Sequence, residues 1–352
     1  GTAIKQKNGK TLKTFDSITL RNGGNDNRYA YFRDSVNQRL VTDRAAAYQA
    51  TDEAVVFIDG EFWGIYQITE KLSDDYINDH FGITKTDVVM IKNGEVEEGT
   101  DADLADWKSI TDFAANNDMS DSANYAKFTD AVDIQSYIDY FASQIYWQNV
   151  DFPDNNLAVW RAANVDETNP YADGKWRMIV FDTEFGQGLY GSWEERTSAS
   201  ANTFDFIAGK KDSVSRMLFS LLKNDEFREQ FCVTFMDIAN YNFDMDKVSA
   251  VADGLRNTYR QQLIDTMHRF ASDWLVGNLA DQQVTTEYDS ILNFYRSRFP
   301  YAADSLSNAA GIPSSRNTVT IRNDTDAGVI KLNTLTLDEA SWSGEYFSEY
   351  PV

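Results

Sequence analysis

The chain has 352 residues, a formal net charge of −23 at neutral pH and a hydrophobic content of 42%. This composition is typical of a packed globular protein and argues against disorder. So acidic a surface repels phosphate backbones and anionic lipid, and no apolar run approaches the length of a membrane span, so we expect neither nucleic-acid binding nor membrane insertion.

The first third of the chain is predicted to form a strand, a helix and a hairpin. Residues 17–21 alternate between polar and apolar side chains, and residues 29–50 show the four-residue spacing of a helix. The strongest signal is the pair of strand-like segments 54–58 and 62–68. They are joined by Asp59-Gly60, which favours the positive φ angles of a tight hairpin turn.

The rest of the chain has a mainly helical pattern, interrupted by two short strands. Ser73 and Gly82 are residue types that begin and end helices, and they bracket a predicted short helix. The other predicted elements are helices in residues 101–148 and 212–299, strands in residues 157–161 and 176–181, and a β pattern from about residue 317.

This order of elements predicts an α+β fold with two lobes. The N-terminal lobe, about residues 1–70, is rich in strands, and the C-terminal lobe, about residues 71–315, is mostly helical. Residues 316–352 are predicted to form a β tail or the start of a further module. A crevice between the lobes is the expected place for a ligand.

Cysteine and histidine give little support for a zinc site or a catalytic triad. The single cysteine, Cys232, lies in an apolar pattern and is predicted to be a buried side chain without a disulfide partner. The two histidines, His80 and His268, are far apart in the sequence. A site built on either residue type is therefore not the leading hypothesis.

Two aspartates and an asparagine have the spacing of a phosphoryl-transfer site. Asp151 and Asn156 lie five residues apart in a predicted loop, and Asp182 follows the next pair of strands, with Gly186 placed to let the backbone turn behind it. Phosphoryl transfer needs a carboxylate that accepts the proton of the attacking hydroxyl, and hard oxygen ligands that hold Mg²⁺ across the phosphates. Asp151, Asn156 and Asp182 match the base and the metal ligands of kinase-type sites in residue type and spacing.

Simpler interpretations of these residues remain open. Taken alone, Asp151 and Asp182 are each explained as turn-forming acids. The Asp-x₄-Asn spacing also occurs at Asp112–Asn117 and Asp237–Asn242, but there the pattern is helical and a second carboxylate is lacking. The site around Asp151 is favoured by the order of its elements. The loop of Asp151 is followed by two strands joined by a polar segment, and then by a second aspartate with Phe-Gly shortly after it.

At these residues the chain resembles the spore-coat protein H (CotH) kinase family, over about residues 18–274. The blocks that carry the resemblance are LRNGGND at 20–26, FRD at 32–34, VVFIDGEFWGIY at 55–66, NVDFPDNNLAVW at 149–160 and DTEFG at 182–186. The resemblance implies an atypical bilobal protein kinase fold and the transfer of phosphate from ATP to serine or threonine hydroxyls of a protein. It also implies a bacterial protein that is secreted or held at the cell surface.

The resemblance also implies roles for individual residues. Asp151 would be the catalytic base, and Asp182 and Asn156 would bind Mg²⁺ or Mn²⁺. The backbone of Glu70-Lys71, at the end of the predicted hairpin, would meet the adenine of ATP.

The N-terminal lobe departs from that of ordinary kinases. No glycine-rich phosphate loop precedes the first strand, and Arg21 stands where a phosphate-pairing lysine is expected, with Asp34 as a candidate ion-pair partner. An arginine fork can pair phosphate in a bidentate manner, although a surface arginine beside any acid explains the pattern equally well. Lys92 is a second candidate for phosphate contact, but a strand-end lysine facing water is the simpler interpretation.

Other side chains near the predicted site are interpreted as structural. Trp147, Trp160 and Trp176 surround the predicted loop, and packing in the core explains them better than stacking on adenine. Glu184 is a candidate extra metal ligand, but a solvated turn acid is the preferred interpretation.

Three functions remain in competition at this point. The leading one is an active extracellular kinase whose protein substrate is Ser/Thr-rich or basic, which would suit the acidic surface. The second is a kinase-like adhesion or binding module without turnover, with which the missing glycine-rich loop is consistent. The third is a metal-dependent hydrolase that uses the same acids. Paired carboxylates also suit glycoside hydrolysis, but the sequence lacks an aromatic platform for a sugar.

Overall fold

The computed structural model describes residues 4, 7, 10–270, 280–323 and 328–352, and the fold is mixed α+β, as predicted. The strands of these ranges are β1 (Ile18–Arg21), β2 (Ala47–Tyr48), β3 (Thr51–Ile58), β4 (Glu61–Glu70), β5 (Val88–Lys92), β6 (Glu95–Glu98), β7 (Ala158–Ala162), β8 (Arg177–Val180), β9 (Arg316–Arg322), β10 (Ile330–Leu332), β11 (Leu335–Leu337) and β12 (Ser341–Phe347). The helices are α1 (Arg33–Leu40), α2 (Asp74–Phe81), α3 (Asp101–Asn116), α4 (Ser122–Ala131), α5 (Ile134–Tyr146), α6 (Thr203–Ala208), α7 (Ser213–Leu221), α8 (Asp225–Asp237), α9 (Met245–Phe270) and α10 (Ala280–Ala310).

A three-stranded antiparallel sheet in the order β1-β4-β3 contains the predicted hairpin. Its turn residues Asp59 and Gly60 have φ angles of 52° and 84°, so this prediction is confirmed. The sheet pairs Arg21, the last residue of β1, with Gln67 of β4. Arg21 therefore leaves the sheet at the start of the following turn.

A second sheet has five strands in the order β2-β8-β7-β5-β6. The two strands predicted among the helices are its centre, where β7 and β8 run antiparallel and β5 flanks β7. Strand β2 lies parallel to β8, with Ala47 opposite Ile179. This sheet places the segment that follows β8 beside the loop that precedes β7.

The predicted helix over residues 29–50 is wrong in its second half. Helix α1 ends at Leu40, and the chain continues as turns and strand β2. Tertiary partners hold this backbone in place: Asp139 accepts from the amide of Ala45 at 2.6 Å, and the Tyr76 hydroxyl donates to the carbonyl of Tyr48 at 2.6 Å. Contacts so distant in sequence override the local periodicity.

The remaining helix predictions are largely confirmed. Helix α2 follows Ser73 and ends at Gly82, which has a φ of 70°. The predicted helical region 101–148 contains α3 to α5, and the region 212–299 contains α7 to α9 and the first two thirds of α10, which continues to Ala310. Residues 271–279, which fall inside the second region, lie outside the described residues.

The core runs between the helices and the five-stranded sheet. Trp147, Trp160 and Trp176 are almost fully buried, which confirms that they pack in the core. Cys232 is buried as predicted, and burial raises the pKa of its thiol to about 12.

The tail forms two small antiparallel pairs, β9 with β12 and β10 with β11, as the alternating pattern predicts. It packs on the helices through the buried carboxylate of Asp237, at the end of α8. Asp237 accepts hydrogen bonds from the hydroxyls of Tyr346 and Thr334, each at 2.6 Å.

Candidate active site

The loop between α5 and β7 brings Asp151, Asn156 and Asp182 together. The side-chain amide of Asn156 donates to Oδ2 of Asp151 at 3.0 Å and to the backbone carbonyl of Asp182 at 3.3 Å. Asn156 is buried and has a φ of 50°, a left-handed conformation that asparagine tolerates better than most residues. One side chain therefore joins the predicted base to the predicted metal-binding segment.

Gly186 allows the segment after β8 to approach this loop closely. A Cβ atom at Gly186 would lie closer than 3.0 Å to the carbonyl oxygen of Trp147 and 3.1 Å from that of Gln148. Two backbone hydrogen bonds of 3.0 Å flank the contact, from Gln187 to Trp147 and from Val150 to Phe185. A close approach of two backbones, rather than a sharp turn at Gly186, explains the glycine.

Arg21 reaches across from β1 to Asp182. Its Nη2 atom donates to Oδ1 of Asp182 and, at 2.6 Å, to Oε1 of Glu184, while Nη1 lies 3.4 Å from Oδ2 of Asp34. Arg21 is thus paired with three carboxylates, including the partner expected for it, rather than with one surface acid.

Asp34 connects Arg21 to the backbone behind Asp182. Its Oδ1 atom accepts hydrogen bonds from the backbone amide of Thr183 at 2.9 Å and from the Thr183 hydroxyl at 2.7 Å. The Asp34 side chain is buried at the N-terminal end of α1. Helix α1 therefore holds both Arg21 and the segment of Asp182.

Glu184 is not the solvated turn acid that we expected. It is 2% exposed, and its Oε1 accepts from Arg21 and from the backbone amide of Asn25 at 3.2 Å. Burial and the neighbouring Asp182 carboxyl raise the pKa of Glu184 to about 9 against the opposing charge of Arg21. The one feature of the sequence that indicates a role for Glu184 in the site is its position, two residues after Asp182.

A hydrogen bond with Glu184 and nearby positive charge keep Asp182 ionised despite its partial burial. Burial alone would raise the pKa of Asp182, but its hydrogen bond with Glu184 and the charges of Arg21 and Lys92 lower it. Likewise, burial would lower the pKa of Arg21, but Asp34, Glu184 and Asp182 together raise it. The carboxyl groups and cations of this site therefore shift one another's pKa values.

Lys92, at the end of β5, belongs to the same neighbourhood. Its ammonium lies 5.1 Å from the centre of the Phe181 ring, next to Asp182 in sequence, and the side chain is partly buried. Lys92 ends a strand, as the simpler interpretation has it, but its side chain is only partly exposed to water. Its role in phosphate contact stays a prediction.

Glu70 and Lys71 lie at the end of β4, where Glu70 pairs with Ile18 of β1. The buried Glu70 carboxylate lies 2.7 Å from Nε2 of His80, and its backbone carbonyl accepts from the Gln49 side chain at 2.6 Å. Lys71 is exposed. The Glu70 backbone is thus already paired, and adenine contact at these two residues stays a prediction.

The oxygen atoms around Asp182 fit a hard divalent cation. Within the described ranges, no group of three or more His, Cys, Asp or Glu side chains is arranged to hold a metal ion. Mg²⁺, however, is usually held by one or two carboxylates together with substrate phosphates. The Asp182 carboxylate and Oδ1 of Asn156 supply oxygen donors, and Oε2 of Glu184 is buried without a hydrogen-bond partner in the part of the chain that the structure describes.

The two other Asp-x₄-Asn matches do not form such a group. Asp112 and Asn117 lie at the end of α3, where the Asn117 side chain donates to the Phe113 carbonyl. Asp237 anchors the tail, as described above. These matches are structural, as their helical pattern indicated.

None of the helices in the described ranges combines the length and the apolar character that a bilayer crossing needs.

A search of curated proteins finds no significant match. The family model described as CotH kinase protein matches residues 2–301, which is most of the chain. The match includes β1, α1, the Asp151 loop and the Asp182 segment, and the chain therefore belongs to the CotH kinase family.

Proposed function

We propose that this kinase-like protein is an ATP-dependent protein kinase that transfers the γ-phosphate to serine or threonine hydroxyls. The observation that carries the proposal is the continuous set of contacts from Asp151 through Asn156 to Asp182, and on through Arg21 to Asp34. A base, two oxygen ligands and a phosphate-pairing cation are the parts that phosphoryl transfer requires.

Asp151 is proposed as the base that accepts the proton of the acceptor hydroxyl. It lies in a loop and is partly exposed, so a protein hydroxyl can approach it. The hydrogen bond from Asn156 fixes its carboxylate relative to Asp182. Positioning of the nucleophile is a main contribution of a kinase to catalysis.

Asp182 and Asn156 are proposed to hold Mg²⁺ or Mn²⁺. A divalent cation at these residues would bridge the phosphate oxygens of ATP and neutralise the charge that develops on them. Asp182 remains ionised because its hydrogen bond with Glu184 and the charges of Arg21 and Lys92 lower its pKa, so it keeps a charged oxygen donor.

Arg21 is proposed to pair the phosphates of ATP in place of the usual lysine. Its planar fork can bind two phosphate oxygens at once, and Asp34 keeps the side chain directed at the site. Lys92 is a candidate for a second phosphate contact, and Glu70-Lys71 for contact with adenine.

The substrate is proposed to be a Ser/Thr-rich or basic extracellular protein, and the kinase to be secreted or held at the bacterial surface. The net charge of −23 supports a basic partner, since opposite charges accelerate encounter. The alternative is a catalytically inert adhesion or binding module. The engagement of Arg21 by three carboxylates favours it, because this arginine must release Asp182 before it can pair phosphate.

The test is transfer of labelled γ-phosphate from ATP to a generic basic protein in the presence of Mg²⁺ or Mn²⁺. Wild type is compared with Asp151→Ala and Asp182→Ala. The matched control is Asp154→Ala, because Asp154 lies in the same loop but is exposed and paired with Lys210.

Transfer by the wild type and the Asp154 variant, lost in the two site variants, would support the kinase. If no labelled protein forms with any acceptor while ATP and metal still raise the melting temperature, the adhesion or binding module is favoured. If neither transfer nor stabilisation is found, the proposal is refuted.

A further inference from the structure

Three carboxyl groups face the single guanidinium of Arg21. Asp34, Asp182 and Glu184 all pair with this one guanidinium, and Lys92 is a further cation that acts on Asp182. The carboxylates of Asp182 and Glu184 both accept a hydrogen bond from the same atom, Nη2 of Arg21. Two carboxyls so close require a proton or a cation between them.

One oxygen of the Glu184 carboxyl accepts no hydrogen bond from the described residues. Oε1 accepts from Arg21 and from the amide of Asn25, whereas Oε2 is buried and accepts none. A buried acceptor that lacks a partner is costly, and native structures rarely leave one without a reason. A carboxyl group that keeps such an oxygen, and shares the Nη2 atom of Arg21 with Asp182 through its other oxygen, is suited to a metal ion.

Gly24 keeps the space beside this carboxylate free. It has a φ of 55°, and a Cβ atom there would lie 2.6 Å from Nη2 of Arg21 and closer still to Oε1 of Glu184. Any other residue at position 24 would crowd the point where Arg21 and Glu184 meet. The turn after β1 is thus shaped to let a cation sit against Glu184.

We propose that Asp182 and Glu184 together form a divalent-cation site, and that the guanidinium of Arg21 fills this site until metal and nucleotide bind. A single atom, Nη2 of Arg21, donates to both carboxylates, which is where a cation shared by the two would be. Metal entry displaces that atom, and the released guanidinium becomes available for phosphate. This inference rests on the proposed function, in which Asp182 is already a metal ligand.

The site is tested without nucleotide, by electron paramagnetic resonance titration of the full chain with Mn²⁺. We expect Arg21→Met to bind Mn²⁺ about tenfold or more tightly than wild type, because an internal competitor held by charge-assisted hydrogen bonds is lost. Adding Glu184→Gln to that variant should abolish the gain. Glu184→Gln in the wild-type background should weaken binding by about tenfold.

The matched controls are Arg39→Met and Glu53→Gln, which alter an ion pair of 2.8 Å elsewhere in the same half of the chain. Both should bind Mn²⁺ as wild type does. Unchanged Mn²⁺ affinity in Arg21→Met, or in Glu184→Gln, would overturn the inference. Should Arg21→Met fail to fold, Glu184→Gln in the wild-type background decides the question alone.

The outcome is separable from that of the kinase proposal. Tight Mn²⁺ binding that depends on Glu184, in a chain that transfers no phosphate, would support the cation site and contradict the kinase. Phosphate transfer by a Glu184→Gln variant with wild-type Mn²⁺ affinity would support the kinase and contradict the site proposed here.

Discussion

Replacing Gly186 with alanine should push the Asp151 loop and the Asp182 segment apart, because the added methyl group has no space between them. In Gly186→Ala the new Cβ would press on the carbonyls of Trp147 and Gln148, which are backbone atoms and cannot rotate away. The two segments would have to move apart, which strains the 3.0 Å hydrogen bonds from Gln187 to Trp147 and from Val150 to Phe185.

The size of the effect follows from these contacts. Overpacking of a tight site costs about 1–3 kcal/mol and a backbone hydrogen bond contributes about 1 kcal/mol, so we expect the free energy of unfolding to fall by about 2–4 kcal/mol. Because Asn156 spans the same two segments, phosphate transfer should fall as well.

Urea unfolding followed by tryptophan fluorescence measures this change. The matched control is Gly254→Ala, because Gly254 lies inside α9 and a Cβ there meets no described heavy atom within 4 Å. That substitution should stabilise the helix by up to about 1 kcal/mol. A Gly186→Ala protein that unfolds within about 0.5 kcal/mol of wild type would refute the reasoning.

Three other substitutions test separate parts of the structure. Asp34→Asn should raise the KM for ATP about tenfold and leave kcat nearly unchanged, because it weakens the charge-assisted pairing of Arg21; steady-state phosphate transfer checks this, and an unchanged KM would contradict it. Burial raises the pKa of Asp26 to about 6 from 3.8 despite Arg33, so the stability that Asp26 contributes is full below about pH 4 and is lost as the pH rises through 6. We therefore expect the difference in free energy of unfolding between wild type and Asp26→Asn to fall by up to about 3 kcal/mol between pH 4 and pH 7, as measured by urea unfolding. A difference that does not change with pH would contradict this. Tyr346→Phe removes a 2.6 Å hydrogen bond to buried Asp237 and should cost about 1.5–3 kcal/mol in urea unfolding, whereas Tyr301→Phe, at an exposed tyrosine, should cost almost nothing.

Local patterns in the sequence predicted the elements and the grouping of the site well. The Asp59-Gly60 turn, the Ser73 and Gly82 boundaries and the loop of Asp151 and Asn156 depend on neighbours in the chain. The proximity of Asp151, Asn156 and Asp182 also followed from their spacing. Because β7 and β8 are antiparallel, the end of β8 lies beside the start of β7, so Asp182 returns to the loop of Asp151 and Asn156. Their roles in catalysis stay predictions.

Features that depend on distant residues could not be predicted in this way. Strand β2 forms because β8, some 130 positions away, offers an edge to a segment with helical periodicity. The burial of Glu184 depends on the turn after β1, which covers it from a different sheet. No local pattern distinguishes a carboxylate covered by such a turn from one that faces water.

The central claim is that Asn156 couples the proposed base to the proposed metal-binding carboxylate, and two neighbouring asparagines test it most directly. Asn156 donates to both Asp151 and Asp182, whereas Asn155 is exposed. In single-turnover transfer of labelled phosphate from ATP, we expect Asn156→Ala to lose about a hundredfold or more in rate, and Asn155→Ala to stay within about twofold of wild type. Equal rates for the two variants would contradict the account.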